Sequence, residues 1–253
     1  MPDFTAPSNA ERTFAIIVGS GFQSFAGESG GREIQTEFGV PSSPIRELHY
    51  GVQTVFLLAR HGDSMLIPPH AINYRANLKA LQQLGVSDVL AINTVGVITA
   101  GVLPGQIAVP DQIIDYTYGR DHSIYGVDSA TLDHIDFSEP LHRGLRQELL
   151  AAAAAENVAC RDGGVYAVTQ GPRLETSAEV DRIERDGADY VGMTAMPEAS
   201  LAMELGMRYA CLTLIVNYAA GRGERSIHED IEESTLSARM QSMKILKAFF
   251  LAP

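Results

Sequence analysis

Residues 209–217 read YACLTLIVN, a near-continuous apolar run that ends in an amide, and residues 88–95 read DVLAINTV in the same style. Runs of this kind are typical of strands that helices cover on both faces, whereas a strand with one solvent-exposed face alternates apolar and polar residues. Shorter runs of the same kind occupy residues 14–18, 54–59, 107–109, 165–169 and 190–193. These stretches predict the buried strands of a mostly parallel or mixed sheet.

Helical signals fall between the predicted strands. Thr176 and Glu179 form a capping-box pattern, and the segment 197–205 opens with proline and stops before Gly206. Apolar residues recur at helical spacing near the end of the chain, at Leu236, Met240, Met243, Leu246 and Phe250. Helices are predicted over 72–84, 141–156, 176–185, 197–205 and 231–250. The alternation of strands and helices predicts an α/β fold, which we interpret as one domain over 1–253.

The composition narrows the classes of partner. The chain has 253 residues, 31 acidic against 19 basic, and a formal charge of −12, which argues against nucleic acid or an anionic membrane as partner. Neither a run of about 18 apolar residues nor a signal-peptide pattern is visible. Cys160 and Cys211 are too few for a disulfide framework, and their wide separation excludes a compact zinc knuckle, so both are expected in the core. A cytoplasmic protein is therefore expected.

Polar and glycine-rich segments follow three predicted strands. Gly19-Ser20-Gly21 follows the first, Arg60-His61-Gly62 the second, and Asn93 to Gly96 ends the third. Ligands of open α/β sheets bind beyond the carboxyl ends of strands, where glycines, hydroxyls and arginine suit an anion. Each segment alone also fits a tight turn or a surface ion pair. Together they predict a site for free phosphate.

A second group of polar residues suits a heterocyclic base. Glu175 lies in the turn QGPRLET (170–176), and Asn217-Tyr218-Ala219 ends the longest apolar run. A carboxylate accepts from a ring N–H, and an amide can meet both a carbonyl and a ring nitrogen. Alternatively, the Glu175 carboxylate only interacts favourably with the N-terminus of the helix that follows it, and Asn217 is a buried amide whose hydrogen bonds are satisfied within the protein. The histidines form no metal-binding pattern, so no metal is expected.

Five longer stretches carry a resemblance to a known family. They are LLARHG (57–62), NYRANLKALQQLGV (73–86), PGQIAVPDQIID (104–115), QGPRLET (170–176) and GMTAMPEASLAMELGM (192–207). From about 14 to about 251 the chain resembles the trimeric purine nucleoside phosphorylases, most closely the branch containing methylthioadenosine phosphorylase. The resemblance implies a mixed sheet with a barrel-like core flanked by helices, a homotrimer with sites near subunit interfaces, and phosphorolysis with inorganic phosphate as co-substrate and no cofactor.

The resemblance also implies roles for individual residues. The phosphate ligands would be Ser20, Arg60, His61, Asn93, Thr94 and Thr194. Met193 would lie under the sugar, and Glu175 and Asn217 would face the base, with Tyr218 and Ala219 beside them. Asn217, Glu175 and His61 are the residues expected to act in catalysis, with His61 orienting phosphate.

Two departures from the adenine-specific branch bear on the substrate. That branch has Asp-Tyr-Asp where this chain has Asn217-Tyr218-Ala219, and a small hydroxyl residue at the position of Glu175. Both differences favour a 6-oxopurine, because Asn can donate to a 6-carbonyl and Glu accepts from N1–H. For the 5′ group, His228 is a candidate hydroxyl ligand at a shorter spacing than expected, and Ile231 or Leu236 would supply apolar contacts.

The expected reaction is phosphorolysis of 5′-methylthioinosine in purine and methylthionucleoside salvage. Inosine and guanosine stay open as substrates. A nucleosidase of related fold and a non-catalytic nucleoside-binding protein are the remaining alternatives.

Overall fold

The computed structural model describes residues 12–19, 30–127, 129–224 and 227–251, with only the backbone described for 227–233. The strands are β1 (Phe14–Val18), β2 (Arg46–Tyr50), β3 (Gln53–Ala59), β4 (Asp88–Val97), β5 (Ile107–Val109), β6 (Gln112–Asp115), β7 (Cys160–Asp162), β8 (Val165–Val168), β9 (Tyr190–Gly192) and β10 (Arg208–Tyr218). The helices are α1 (Tyr74–Gln83), α2 (Arg143–Ala155), α3 (Ser177–Arg185), α4 (Ala195–Glu204) and α5 (Ile227–Leu251).

All ten described strands belong to one mixed sheet. Its main path runs β2-β3-β1-β4-β10-β5-β7, and a second path leads from β4 through β9 and β8 to β6. β1 and β10 flank β4 in parallel, whereas β2, β5 and β9 pair antiparallel with β3, β10 and β4 respectively. The predicted α/β fold with a mixed sheet is confirmed.

One half of the sheet closes on itself. β5 pairs in parallel with β7, and their continuations β6 and β8 pair in parallel beyond a short bend. β8 then pairs with β9, and β9 returns to β4. The ring runs from β4 through β10, the β5–β6 segment, the β7–β8 segment and β9 back to β4, and it forms the barrel-like core that was expected.

The two edges of β4 have different partners, and this difference creates the crevice for the site. One edge pairs with β10 along nearly its whole length. The other edge pairs with β1 up to Ala91 and with β9 from Gly96 onward. Partner strands therefore diverge over 92–95, as they do at the ligand-binding switch points of open α/β sheets.

Helices bury the sheet on two sides. Leu78 and Leu81 of α1 share one hydrophobic cluster with Ala199 of α4, and Leu145 of α2 shares a second with Leu246 of α5. β4 and β10 are buried almost throughout, which explains their continuous apolar sequences. No helix of the described chain has the length and hydrophobicity needed to cross a bilayer.

Several predictions of detail need correction. The strands β2, β6 and β7 were missed, since their residues are partly exposed and lack a continuous apolar run. α4 includes Ala195, but its Met196 is extended, the conformation that a following proline favours, so the continuous part of the helix begins at Pro197, the predicted start.

Two expectations about apolar residues also change. α5 starts at Ile227, and Leu236 and Met240 on it are exposed by 61% and 59%, so the predicted apolar stripe is buried only toward its end. Cys211 is fully buried, but Cys160 is only partly buried at a sheet edge. The capping box of Thr176 and Glu179 is confirmed, with both hydrogen bonds present.

Candidate active site

A cavity of about 620 Å³ opens in the crevice beside β4. Most of its wall comes from residues at or beyond the carboxyl ends of β1, β3, β4, β9 and β10, and the rest comes from the turn before α3 and from α5. The lining residues are Gly19, Arg60, His61, Pro69, Thr94, Val95, Gly96, Leu174, Glu175, Val191, Gly192, Met193, Thr194, Val216, Asn217, Ala219, Ala220, Thr235, Leu236 and Arg239.

Arg60 is held by a buried carboxylate behind the cavity. Its Nε and Nη2 donate to Glu198 of α4 at 2.8 and 2.5 Å, and its Nη1 donates to the carbonyl of Ile92 at 3.0 Å. Burial lowers the pKa of the guanidinium, but the charge and hydrogen bonds of Glu198 outweigh that effect and leave the pKa above its ordinary value. Arg60 is therefore a fixed positive charge at the cavity wall.

The Arg60 side chain retains donors after these three bonds. A guanidinium has five N–H groups, so one N–H remains on each terminal nitrogen. A Cβ on residue 19 would lie 3.0 Å from Nη1, so Gly19 gives the guanidinium room at this point. Gly19, the first residue of the predicted glycine-rich segment, thus lies against Arg60, while Ser20 and Gly21 lie outside the described residues.

His61 presents an unprotonated nitrogen. Its Nδ1 lies 2.7 Å from the carbonyl of Ile67, which only accepts, so the hydrogen of the neutral ring is on Nδ1. Burial lowers the pKa of His61, and the positive charge of Arg60 lowers it further. At neutral pH, Nε2 is consequently an acceptor, 3.8 Å from where a Cβ on Gly19 would lie.

Thr94 and Thr194 line the cavity beside Arg60, but Asn93 does not. The Asn93 amide donates to Thr194 Oγ1 at 2.9 Å, and the residue is 1% exposed. Because that bond occupies the oxygen of Thr194 as an acceptor, the hydroxyl hydrogen remains available to another group. Asn93 thus contacts Thr194 from behind, one step away from the position predicted for a phosphate ligand.

Glu175 and Asn217 also line the cavity. Thr169 Oγ1 donates to Glu175 at 2.5 Å, and the Thr169 amide donates to the carbonyl of Gly192 at 2.8 Å. Asn217 is 7% exposed, and its Nδ2 donates to the carbonyl of Tyr218 at 2.6 Å. These contacts fix a carboxylate and an amide in the cavity wall.

Close packing against glycines fixes Asn217 and Met193. A Cβ on Gly96 would lie 2.9 Å from Asn217 Nδ2, and a Cβ on Gly171 would lie 2.5 Å from Met193 Sδ. Met193 lines the cavity, as expected of a residue under a sugar. Gly171 has a φ of +60°, a second reason for glycine there.

The remaining predicted residues have mixed positions. Ala219 lines the cavity, whereas Tyr218 is half-buried against the core and lies outside the lining. Leu236 lines the cavity mouth. The side chains of His228 and Ile231 lie outside the described residues.

Three residues that the sequence analysis missed support the site from behind. They are Thr169, Arg120 and Glu198. Glu198 had a signal, because a carboxylate inside the apolar helix AMPEASLAME needs a charged partner. In the described part of the chain, no group of three or more His, Cys, Asp or Glu side chains is placed to hold a metal ion.

The cavity thus combines two chemistries. One group of lining residues supplies a fixed cation, two threonine hydroxyls and an imidazole acceptor, a set that suits a partly protonated oxyanion. A second group supplies a carboxylate and an amide, a set that suits a heterocycle with N–H and carbonyl groups. Apolar residues complete the lining.

Comparisons with known proteins give the family. Residues 13–251 match the model of the phosphorylase superfamily, and the chain belongs to that family. It is 46% identical over 241 residues to a probable S-methyl-5′-thioinosine phosphorylase of Pseudomonas syringae pv. tomato, covering 94% of this chain and 98% of that one.

Two further proteins are similar to this chain, one in sequence and one in fold. The chain is 37% identical to a 6-oxopurine nucleoside phosphorylase of Pyrococcus furiosus, covering 92% of this chain and 90% of that one. Its fold matches methylthioadenosine phosphorylase from Schistosoma mansoni in complex with adenine, with a TM-score of 0.87 and 30% identity over 94% of this chain and 91% of that one. The mixed α/β fold of nucleoside phosphorylases is therefore confirmed.

Proposed function

We propose that this protein catalyses phosphorolysis of S-methyl-5′-thioinosine to hypoxanthine and 5-methylthioribose 1-phosphate. The observation that carries the proposal is that residues suited to an anion and residues suited to a purine base line one cavity. The similarity to the probable S-methyl-5′-thioinosine phosphorylase of Pseudomonas syringae pv. tomato supports the choice of substrate.

Arg60, Thr94 and Thr194 would hold phosphate beneath the sugar, with Ser20 as a further ligand. Cleavage of the glycosidic bond builds positive charge on the sugar, and a fixed phosphate anion stabilises that charge before it bonds to C1′. Preorganised charges and donors of this kind supply large catalytic effects. Attack from the face opposite the base inverts the configuration at C1′.

Asn217 and Glu175 would stabilise the departing purine. The Asn217 amide donates to the 6-carbonyl while its oxygen accepts from N7–H, and Glu175 accepts from N1–H. Donation to the carbonyl requires the Nδ2 group to share or leave its bond to the carbonyl of Tyr218. A 6-amino group would face the Asn217 amide donor, which discriminates against adenine.

His61 would orient phosphate and would not act as a general base. Its Nε2 is an acceptor at neutral pH, so it suits the P–OH of hydrogen phosphate. Asn93 would act through Thr194, since its amide fixes the threonine oxygen and leaves the hydroxyl hydrogen for phosphate.

The 5′ end of the substrate would meet apolar side chains. Leu174 and Leu236 line the cavity and are exposed by 41% and 61% in the isolated chain, so a methylthio group would cover apolar surface there. Ile231 is a further candidate for this contact. His228 is the candidate ligand if the group is a hydroxyl, and inosine or guanosine would then be the substrate, as the Pyrococcus furiosus relative suggests.

A phosphate-dependent assay tests the proposal. Methylthioinosine, inosine, guanosine and methylthioadenosine are compared by release of free base, with and without inorganic phosphate. The proposal expects the highest kcat/KM for methylthioinosine and no turnover without phosphate. Unchanged base release without phosphate would identify a nucleosidase, and no turnover of any nucleoside would favour a binding protein.

We further propose that the protein works as a single-domain homotrimer in the cytoplasm, without a metal or organic cofactor. Light scattering of the purified protein tests the oligomer. Dialysis against a metal chelator tests the cofactor, since activity should survive it.

A further inference from the structure

Arg120 makes a set of bonds to backbone carbonyls near the cavity. Its Nη1 donates to the carbonyls of Met193 and Met196 at 2.8 and 2.6 Å. Its Nη2 donates to the carbonyls of Gln170 and Thr169 at 2.7 and 3.2 Å. The residue lies in the irregular stretch between β6 and α2, outside the cavity wall.

These carbonyls belong to two segments that diverge from neighbouring strands. β8 and β9 pair up to Val168 and Gly192, and the segment that follows each strand then continues toward the cavity. The segment after β8 leads to Glu175, and the segment after β9 contains Met193 and Thr194. One guanidinium therefore bridges the two segments just beyond the point where their ladder ends.

The side chain of Gln170 extends the same bridge. Its Oε1 accepts from Arg120 Nε at 3.2 Å and from the amide of Tyr118 at 3.1 Å. An arginine fork can meet several fixed acceptors at once, whereas the ammonium of lysine has three donors at one point. The arrangement thus needs arginine specifically.

The supports of Arg60 are separate from this bridge. Arg60 is fixed by Glu198 and Ile92, and neither contacts Arg120 through a hydrogen bond among the described residues. A change at residue 120 therefore alters the spacing of the Glu175 and Met193 segments while leaving the Arg60 bonds in place.

We propose that Arg120 is a positioning residue for the nucleoside half of the site, which sets the distance between the base-facing Glu175 segment and the sugar-facing Met193 segment. The proposal rests on the proposed function. Because sub-ångström placement of bound groups controls rate, loss of the bridge should raise the KM for nucleoside about tenfold or more. The KM for phosphate should rise several-fold less than the KM for nucleoside, since Arg60 keeps its bonds to Glu198 and Ile92 although Thr194 lies in the bridged segment.

Arg146 provides a matched control. It also donates to two carbonyls, those of Pro110 and Val109 at 2.8 and 3.3 Å, and it pairs with Asp162. Arg146 lies on α2, away from the cavity lining. Arg146→Lys and Arg146→Gln thus remove a comparable bridge from a place without a role in binding.

The experiment measures both KM values and kcat for Arg120→Lys, Arg120→Gln and the two Arg146 variants, with thermal melting of each. The proposal expects a rise in nucleoside KM only for the Arg120 variants. Equal rises in both KM values, unchanged KM values, or the same change in the Arg146 variants would overturn it. If Arg120→Gln does not fold, Arg120→Lys decides, and failure of both to fold would assign Arg120 to folding alone and overturn the proposal.

Calorimetric binding of hypoxanthine and of inorganic phosphate separates this proposal from the proposed function. Hypoxanthine binding that weakens several-fold more than phosphate binding in Arg120→Lys supports the positioning role even if wild-type turnover is absent. Unchanged hypoxanthine binding in the variant contradicts that role even if wild-type turnover is present.

Discussion

Arg60 and Glu198 form a two-point ion pair in which both side chains are fully buried, with N–O distances of 2.8 and 2.5 Å. Tyr209 donates to the same carboxylate at 2.8 Å. The pair joins the end of β3 to α4 across 138 residues of sequence. It gives the cavity a positive charge whose position does not depend on bound phosphate.

Arg60→Ala should cost about 3–5 kcal/mol of unfolding free energy, because it leaves Glu198 as an unpaired buried charge. It should also raise the KM for phosphate if Arg60 binds that anion. Urea denaturation and phosphate-dependent kinetics measure the two effects.

The double variant Arg60→Met with Glu198→Gln separates the loss of stability from the loss of phosphate affinity. It removes both charges and keeps an acceptor for Tyr209, so it should recover much of the lost stability without recovering phosphate affinity. A double variant as unstable as Arg60→Ala, or a phosphate KM that stays normal in both, would contradict this assignment.

Asn217→Asp should shift the preference from 6-oxopurines toward 6-aminopurines. The change removes the donor to a 6-carbonyl and adds an acceptor for a 6-amino group, and a mispaired buried polar group costs about 1–3 kcal/mol. The ratio of kcat/KM for methylthioadenosine over methylthioinosine should rise about tenfold to a hundredfold. Adding Ala219→Asp should extend the shift, whereas an unchanged ratio in both variants would refute the assignment of Asn217 to the base.

The strands with continuous apolar runs were predictable from sequence because burial on both faces leaves a direct pattern. β4 and β10 are examples. β2 reads RELHY and β7 reads CRD, and both are partly exposed. Such short strands owe their conformation to a partner strand, β3 or β5, and that pairing has no local signature.

The residues of the site were also only partly predictable from the sequence. The rule that ligands bind beyond strand ends led to Arg60, Thr94 and Asn217, all of which line the cavity. It did not lead to Thr169 or Arg120, whose contacts with the site depend on the three-dimensional approach of segments. Arg120 reaches Met196 across 76 residues of sequence, a distance that no local pattern encodes.

Stability should fall as the pH decreases below about 6.5, the ordinary pKa of histidine. His61 has a lowered pKa in the folded state, owing to burial and Arg60, so the unfolded chain binds its proton at a higher pH than the folded one. Protonation therefore favours unfolding between pH 6.5 and the folded-state pKa, while above that range both states are neutral and the effect vanishes.

His61→Gln should lose less stability than wild type between pH 7.5 and 5.5 in urea titrations. His142, whose pKa is lowered by burial and Arg208, acts in the same direction, so His61→Gln should remove only part of the dependence. His142→Asn, which keeps a capping side chain for α2, tests that second part. Identical pH slopes for wild type and His61→Gln would show that His61 keeps an ordinary pKa.

Gly96→Ala should weaken nucleoside binding through Asn217. The added Cβ would lie 2.9 Å from Asn217 Nδ2 and 3.3 Å from the Cα of Ala219, so the amide must move. Gly96 has no positive φ, and the effect is therefore steric and not a matter of backbone strain. The KM for nucleoside should rise about tenfold, since displacement of a binding group by a fraction of an ångström is sufficient.

Gly126→Ala is the matched control for this change. A Cβ on Gly126 would meet nothing within 4 Å, and Gly126 also has no positive φ. Its kinetics and melting temperature should equal those of wild type. Gly96 packs against Asn217 and lies on β4, the strand that also carries Thr94. The KM for phosphate of Gly96→Ala should therefore stay close to that of wild type. A rise as large as that of the nucleoside KM would mean that β4 itself had shifted, and it would contradict a local effect through Asn217.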